Sequence, residues 1–352
     1  MEVLGLDIGF GFTKAANSKE NLMFKSLIGD AEEIQFMSDF ALTAMTESLH
    51  VTVDGKDYFV GEYAEKQSTV RHYTLEQDKL VTDFLKVLAL TAIGLLTDKY
   101  VPLQIVSGLP VMYYREFKDK FSKTLMGHHE VTYHKSDGQE TLRRLNIGKV
   151  RMIPQPFGSM LNLILNDRGK MANRDLPKQK VGVVDIGFNT TDYILFDKLH
   201  YINRGSKTIK LGISDCFRQI AEKIRQKSGL SIELYRLYDP VEIGTIKLKG
   251  QEYNLEKTRE QVYKQTAEVI ANEVNQAWAD DWDMDTMIIT GGGSKELAGY
   301  MKPLLNGQII MPEPGQDVRL NNVQGYLKFA RHLWDIPEET VSPQPPQPSA
   351  PS

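Results

Sequence analysis

Residues 7–14 read DIGFGFTK, and residues 185–192 read DIGFNTTD, so one short motif occurs twice about half a chain apart. Each copy follows an apolar run, EVLGL in the first case and KVGVV in the second. A short apolar run that ends in an aspartate and a glycine predicts a buried strand delivering a carboxylate to a tight turn. In both copies branched or aromatic residues resume after the turn, which predicts a second strand folding back as a hairpin rather than a helix. A chain that performs this move twice is expected to fold as two similar halves.

The text between the copies supports that division. The first half continues with a hairpin partner, KAANS to NLMFKSLIG, and a polar stretch at about 30–78 that holds a second hairpin at the Asp54-Gly55 turn. This stretch is expected as a small insertion outside the main core. A buried helix is expected over 80–96, a buried strand over 103–110, an amphipathic helix running to Gly127, then strands ending at Pro154 and Pro156 and a short helix at 157–166. After the second copy come strands TDYILFD and HYINRGSKTI and a helix that ends at Gly229. A second insertion at about 230–258 follows, with a turn at Pro240 and a strand-like VEIGTIKLKG. Beyond it lie a long amphipathic helix, an acidic loop ADDWDMD read as solvated, a strand running into Gly291, Gly292 and Gly293, and two further helices. The expected fold is α/β, two similar halves with mixed β-sheets flanked by helices. Domain I takes residues 1–152 plus 320–336 and domain II residues 153–319, while the Pro/Ser-rich 337–352 is expected to be disordered.

Composition narrows the partners. Lys plus Arg is 42 and Asp plus Glu 46, a formal charge of −4, which gives no general electrostatic reason to bind nucleic acid or an anionic membrane. A single cysteine, Cys216, excludes an internal disulfide and points to a reducing compartment, with the thiol itself expected as a buried small apolar group. The N-terminus lacks a basic signal region, and the longest apolar run, 87–96, is shorter than the roughly 20 residues that span a bilayer. A cytoplasmic protein with no membrane segment is expected. His128, His129 and His134 lie close in sequence but lack a supporting ligand pattern, so solvated loop and strand residues are the expectation there.

The chemistry concentrates in three glycine turns. An aspartate at a strand end followed by glycines presents backbone N–H groups around a concave space with no side chain in the way, an arrangement suited to phosphate oxygens. Thr13, Thr190 and Thr191 can add hydroxyl donors, Lys14 adds a point charge, and Asp7 and Asp185 suit a hydrated Mg²⁺ bridging to phosphate. Two facing hairpins then clamp one polyphosphate. A single such turn is equally an ordinary tight turn; the third cluster, Gly291, Gly292, Gly293 and Ser294, is what lets a flat ring or ribose approach the backbone. Neither a dinucleotide-binding fingerprint nor a P-loop lysine signature is present.

Taken together, the two turns, IPQPFGS (153–159), IITGGGS (288–294) and NNVQGYLKFA (321–330) resemble, in order, the five ATPase motifs of the actin, hexokinase and heat-shock chaperone superfamily. In detail, SGLPVMYY and GISDCFRQI included, the chain is most similar to bacterial and archaeal actin-like proteins of the plasmid-partition (ParM) type. The resemblance spans about 1–335 and implies a nucleotide in the interdomain cleft. It implies that Asp7 and Asp185 hold Mg²⁺, largely through water. Gly9, Gly11, Phe12, Thr13 and Lys14, with Gly187, Asn189, Thr190 and Thr191, would hold the β- and γ-phosphates. Gly291, Gly292, Gly293 and Ser294 would lie along the nucleoside of ATP or GTP, and Gly325 would allow close helix packing. Gln155 stands where the family positions the attacking water, with Asp7 and Asp185 as the other catalytic residues. Partition-type members often carry Glu there, so Gln155 departs from that subgroup. A neutral amide orients water without being a strong base, which implies slow hydrolysis.

The resemblance also implies function: a filament-forming ATPase that polymerises with nucleotide, disassembles after hydrolysis and moves DNA or other cargo through an adaptor protein, without contacting nucleic acid itself. A sugar or acid kinase or a polyphosphatase is the alternative on the same core, but Asp78 and Asp83 sit in a helix-like run without a glycine cradle. A chaperone or reactivase is the third, and no peptide-binding domain is expected after the core.

Overall fold

The computed structural model describes residues 1–31, 48–73, 83–135, 137–311 and 315–334. The expected disordered tail at 337–352 lies outside these residues, as do parts of the first insertion. The first half is built on strands β1 (Glu2–Ile8), β2 (Phe12–Ala16), β3 (Asn21–Lys25), β4 (Leu27–Asp30), β5 (Leu49–Val53), β6 (Lys56–Val60), β7 (Arg71–Tyr73), β8 (Pro102–Leu109), β9 (Gly127–His134) and β10 (Glu140–Pro154). They form one sheet in the order β3-β2-β1-β8-β10-β9-β5-β6-β4-β7. The second half holds β11 (Lys180–Ile186), β12 (Thr191–Asp197), β13 (His200–Ile209), a separate hairpin β14 (Thr245–Leu248) and β15 (Gln251–Asn254), then β16 (Thr286–Thr290) and β17 (Gln308–Ile310). Its main sheet runs β13-β12-β11-β16-β17.

The two halves share a five-stranded core. In each, a hairpin of three antiparallel strands is followed by two parallel ones: β1 pairs with β2 antiparallel and with β8 parallel, and β11 pairs with β12 antiparallel and with β16 parallel. The central strands are buried on both faces and read as nearly continuous apolar runs, as parallel strands covered by helices must. The helices are α1 (Glu62–Gln67), α2 (Asp83–Leu96), α3 (Val111–Leu125), α4 (Gln155–Ile164), α5 (Ile213–Ser228), α6 (Tyr238–Ile243), α7 (Glu256–Ala277), α8 (Ser294–Met301) and α9 (Asn321–Trp334).

Three local expectations need correction. The insertion at about 30–78 does not stand apart from the core: β5 pairs with the free edge of β9, so β5, β6, β4 and β7 extend the main sheet by four strands. The strand-like VEIGTIKLKG divides. Residues 241–243 close the short helix α6, and Gly244 at φ 89° provides the left-handed cap from which the β14–β15 hairpin starts. The acidic loop is only partly solvated. Asp281 is fully buried there, bonded by Arg204 Nη2 at 2.6 Å and Lys180 Nζ at 2.8 Å, whereas Trp282 beside it is 90% exposed.

Cys216 is buried, and burial pushes its thiol up to about 11. Helices α4 and α9 cross at the junction of the two halves. Contact there requires glycine: a Cβ on Gly325 would lie 1.8 Å from the Gly158 carbonyl oxygen, and one on Gly5 would lie 2.3 Å from that of Val323. Among the described residues no helix is long and apolar enough to cross a membrane.

Candidate functional site

A cavity of about 690 Å³ opens between the two sheets, within the range of small-molecule sites. Both sequence copies supply its walls. Strands β1 and β11 carry Asp7 and Asp185 one residue before their ends, and each following turn closes in the same way, Gly9 N donating to the Phe12 carbonyl at 3.0 Å and Gly187 N to that of Thr190 at 2.8 Å. The tips of both turns therefore face the cavity. Strand β16 ends at Thr290, and Gly291 turns the chain at φ 87°, a left-handed conformation that glycine adopts without strain. Space also demands glycine here, since a Cβ would sit 2.1 Å from Asp185 Oδ1.

Of the residues expected from sequence, the cavity is lined by Asp7, Gly9, Gly11, Phe12, Lys14, Gln155, Asp185, Gly187, Thr190 and all four of Gly291, Gly292, Gly293 and Ser294. Three are not brought to it. Thr13 is buried and its hydroxyl bonds Ser26 Oγ at 2.9 Å; Thr191 donates to the Leu211 carbonyl at 2.8 Å; and the Asn189 amide oxygen is buried without a partner. In a hairpin successive side chains alternate between faces, so residues on either side of a cavity-facing position turn into the core.

The carboxylates are held in unlike ways. Asp7 receives Lys14 Nζ at 2.7 Å and Gln155 Nε2 at 3.0 Å. Gln155, expected at the strand end before a helix at 157–166, is the first residue of α4, between Pro154 at the helix cap and Pro156 in its first turn. Its amide nitrogen is committed to Asp7, which leaves Oε1 as an acceptor toward the cavity. Asp185 meets a neutral amide, Asn322 Nδ2 at 2.6 Å. That amide cannot flip, because its oxygen accepts from Ser159 N at 3.0 Å and Ser159 Oγ at 2.7 Å. Burial pushes the Asp185 carboxyl up to about 7, with Asp192 and Asp7 adding to the rise and Asn322 opposing it. Asp192, also buried, is pushed up to about 6 by desolvation, although Thr208, Val111 N and Thr190 donate to it.

Several cavity residues escaped sequence reading. Tyr238 comes from the second insertion and reaches across to the first hairpin, its ring 5.0 Å from Phe12 and 5.2 Å from Phe188. Arg319 lies over Phe12 at 5.7 Å and is paired with Asp317, and Lys295 is paired with Glu242. Asp192 was visible as the last letter of the repeat, where the first copy has Lys14; the alignment of the two motifs is the signal that marks it. Asn322 sat inside a quoted motif, but nothing in the letters showed which carboxylate it serves.

The donor set fits a magnesium-bound polyphosphate. Asp7, Asp185 and Asp192 are three buried carboxylates, and among the described residues only Lys14 is ion-paired with any of them. Such an imbalance is what a divalent cation relieves.

Comparison with known proteins agrees with this geometry. The family model for the N-terminal domain of actin-like proteins matches residues 5–158, and the model for the C-terminal part of the archaeal MreB-like actin homologue matches residues 183–302. No curated protein matches the chain by sequence. Among solved structures, the pCBH ParM non-polymerisable quadruple mutant is 24% identical with a TM-score of 0.77, covering 94% of this chain and 99% of that one. A 15-stranded ParM filament from Clostridium botulinum gives 23% and 0.77 over the same shares. An archaeal actin homolog in complex with ADP gives 20% and 0.77, again over 94% and 99%. At these identities the structures establish a shared two-domain fold. With two family models spanning most of its length, the chain belongs to the actin-like proteins.

Proposed function

We propose that the chain is a filament-forming ATPase or GTPase. It would assemble with bound nucleoside triphosphate, hydrolyse it slowly, and disassemble when the γ-phosphate is lost. The observation that carries this reading is the cavity itself: two matched Asp-Gly turns, one from each half, and a triple-glycine turn line one space. ParM of the same fold forms a filament in one relative, and relatives are described with ADP and AMPPNP. In this reading the filament acts as cargo carrier, for plasmid DNA or another load, through an adaptor protein in the cytoplasm.

The two turns and Lys14 bind the phosphates from both sides, and the triple-glycine turn lies against the nucleoside. Asp7 and Asp185 would hold magnesium, which would neutralise charge on the phosphate oxygens. Gln155, tethered to Asp7 through its nitrogen, orients a water through Oε1 without taking its proton, and slow turnover follows. Because both halves touch one ligand, nucleotide favours the closed form by the difference between its closed and open contacts.

The test is sedimentation and light scattering of the purified chain with Mg-ATP, Mg-GTP, Mg-ADP or none, with phosphate release followed alongside. Pelleting with a triphosphate, followed by decay as phosphate appears, is the expected outcome and identifies the purine. Hydrolysis without assembly at any concentration rejects the filament and leads to a screen of kinase and phosphatase substrates. In single turnovers Gln155→Ala is expected to hydrolyse about 10- to 100-fold more slowly with nucleotide still bound; an unchanged rate removes Gln155 from its role.

A further inference from the structure

Far from the cleft, the outer part of the ten-stranded sheet gathers nitrogen and carboxylate donors from four strands. The register explains it. His50 on β5 lies opposite His134 on β9, His134 lies opposite Glu140 on β10, and Thr52, two residues along β5, lies opposite Asp57 on β6. Directly opposed residues point to the same face. On β5 the alternate residues Leu49, Val51 and Val53 are core, so His50 and Thr52 face outward.

One ligand atom from each of His50, Asp57 and His134 falls within 4.8 Å of the others. His50 Nε2 is shielded from solvent and has no hydrogen-bond partner, while its ring is held edge-on by Phe59 at 4.9 Å and lies 4.4 Å from the His134 ring. Glu140 Oε1 sits 3.1 Å from His134 Nδ1. A carboxylate on one imidazole nitrogen places a proton there and leaves the other nitrogen a lone pair, the usual support of a metal-bound histidine. That other nitrogen, Nε2, is 4.0 Å from Asp57 Oδ1. Between them the Thr52 hydroxyl contacts both Asp57 and His134 Nε2, with one proton for two acceptors.

We propose that His50, Asp57 and His134 form a site for a divalent first-row transition ion, zinc being the best match to two imidazoles and one carboxylate, with Glu140 as the positioning residue for His134 and water completing the sphere. Ligands on a tetrahedral zinc lie about 3.3 Å apart, so atoms now within 4.8 Å of one another must draw closer by up to about 1.5 Å, through rotation of the exposed Asp57 side chain and of the two imidazoles. The ion joins β5 and β6 of the insertion to β9 of the core sheet, and so fastens the four outer strands to the domain. His128 and His129 take no part: the first pairs with Tyr100 and the second with the Leu125 carbonyl. The inference does not depend on the nucleotide reading.

The competing account of the same contacts is an imidazolium between two carboxylates, which binds no metal. The full chain, free of any affinity tag and stripped with chelator, is titrated with Zn²⁺ against a chromophoric zinc indicator in excess Mg²⁺. One ion per chain at micromolar or tighter affinity is expected, weakened at least about 10-fold by Glu140→Gln and lost in the His50→Gln/His134→Gln double variant. Co²⁺ in place of Zn²⁺ should give the intense visible bands of a tetrahedral centre in the unaltered chain, a readout that needs no variant to fold. Zinc uptake that is the same in the double variant, or a cobalt spectrum of the octahedral aquo type, overturns the proposal.

Discussion

The two aspartate hairpins share a backbone and differ in charge. Aligned letter by letter, DIGFGFTK and DIGFNTTD differ at three positions, and at the last of them Lys14 stands against Asp192. In each hairpin that position is the cross-strand partner of the aspartate, Asp7 opposite Lys14 and Asp185 opposite Asp192. The first hairpin thus carries a buried ion pair at 2.7 Å, and the second places two buried carboxylates across from each other. Opposed like charges destabilise a sheet, more so when desolvated. Partners from elsewhere offset this: Asn322 donates to Asp185, and Val111 N at 2.8 Å, with Thr208, to Asp192. Val111 opens α3 of the first half, so the charge left over in the second hairpin is used to tie the halves together. The first hairpin carries its own counter-charge, and the second, among the described residues, has none.

Asp185→Asn tests this contrast most severely. Turnover should fall about 10³-fold, since the carboxylate that would serve the metal is gone. Stability of the nucleotide-free chain should move the other way. The Asp185 carboxyl is raised from 3.8 to about 7 in the fold. A raised carboxyl favours folding below the unfolded value and loses that contribution as pH rises through about 7, so the unaltered chain should weaken from pH 5 to pH 8. The asparagine variant, a permanent mimic of the protonated acid, should lack most of that slope and be more stable at pH 8 by on the order of 2–4 kcal/mol in urea denaturation. A steeper slope in the variant would mean that Asp185 is ionised and satisfied in the empty protein.

Lys14→Met makes the first hairpin like the second. Asp7 becomes a buried carboxylate without its cation, and the nucleotide-free chain should lose about 3 kcal/mol. Asp192→Asn does the reverse to the second hairpin. Its Oδ1 still accepts from Val111 N and Thr208, so the tie between the halves survives while the repulsion goes, and a gain of about 1–2 kcal/mol at pH 8 is expected. Loss of stability in Asp192→Asn would show that the charge, and not the hydrogen bonds alone, holds α3.

Much of this was legible in the letters because the repeat is local. An apolar run, an aspartate and a glycine turn specify a hairpin within some fifteen residues, and doing so twice specifies two five-stranded cores. What sequence did not reveal depends on pairing across distance. Strand β5 joins β9 because both carry a free edge, and His50 meets His134 only through that register. Asp281 looked solvated among four acidic letters, yet Lys180 and Arg204 enclose it from other strands. The site divides in the same way: glycines and aspartates at turn tips were readable, whereas the aim of a hydroxyl depends on which face of its strand it occupies.

The threonines sharpen this last point. Thr13 and Thr191 occupy matching places in the two copies and were both expected to reach phosphate, yet each spends its hydroxyl inside the protein, on Ser26 and on the Leu211 carbonyl. Thr190 lines the cavity and contacts Asp192 Oδ2 at 3.3 Å, at the long end of hydrogen bonding. Valine at 13 or 191 keeps the shape and removes one buried hydrogen bond, so each variant should lose about 1 kcal/mol of stability and keep its affinity for a non-hydrolysable triphosphate within a factor of about two. Thr190→Val should instead weaken the triphosphate severalfold at little cost to the fold. If Thr13→Val or Thr191→Val weakens binding tenfold with stability unchanged, the hydroxyl must leave its buried partner when the halves close. The two hairpins would then reorganise on binding rather than receive the phosphates as they stand.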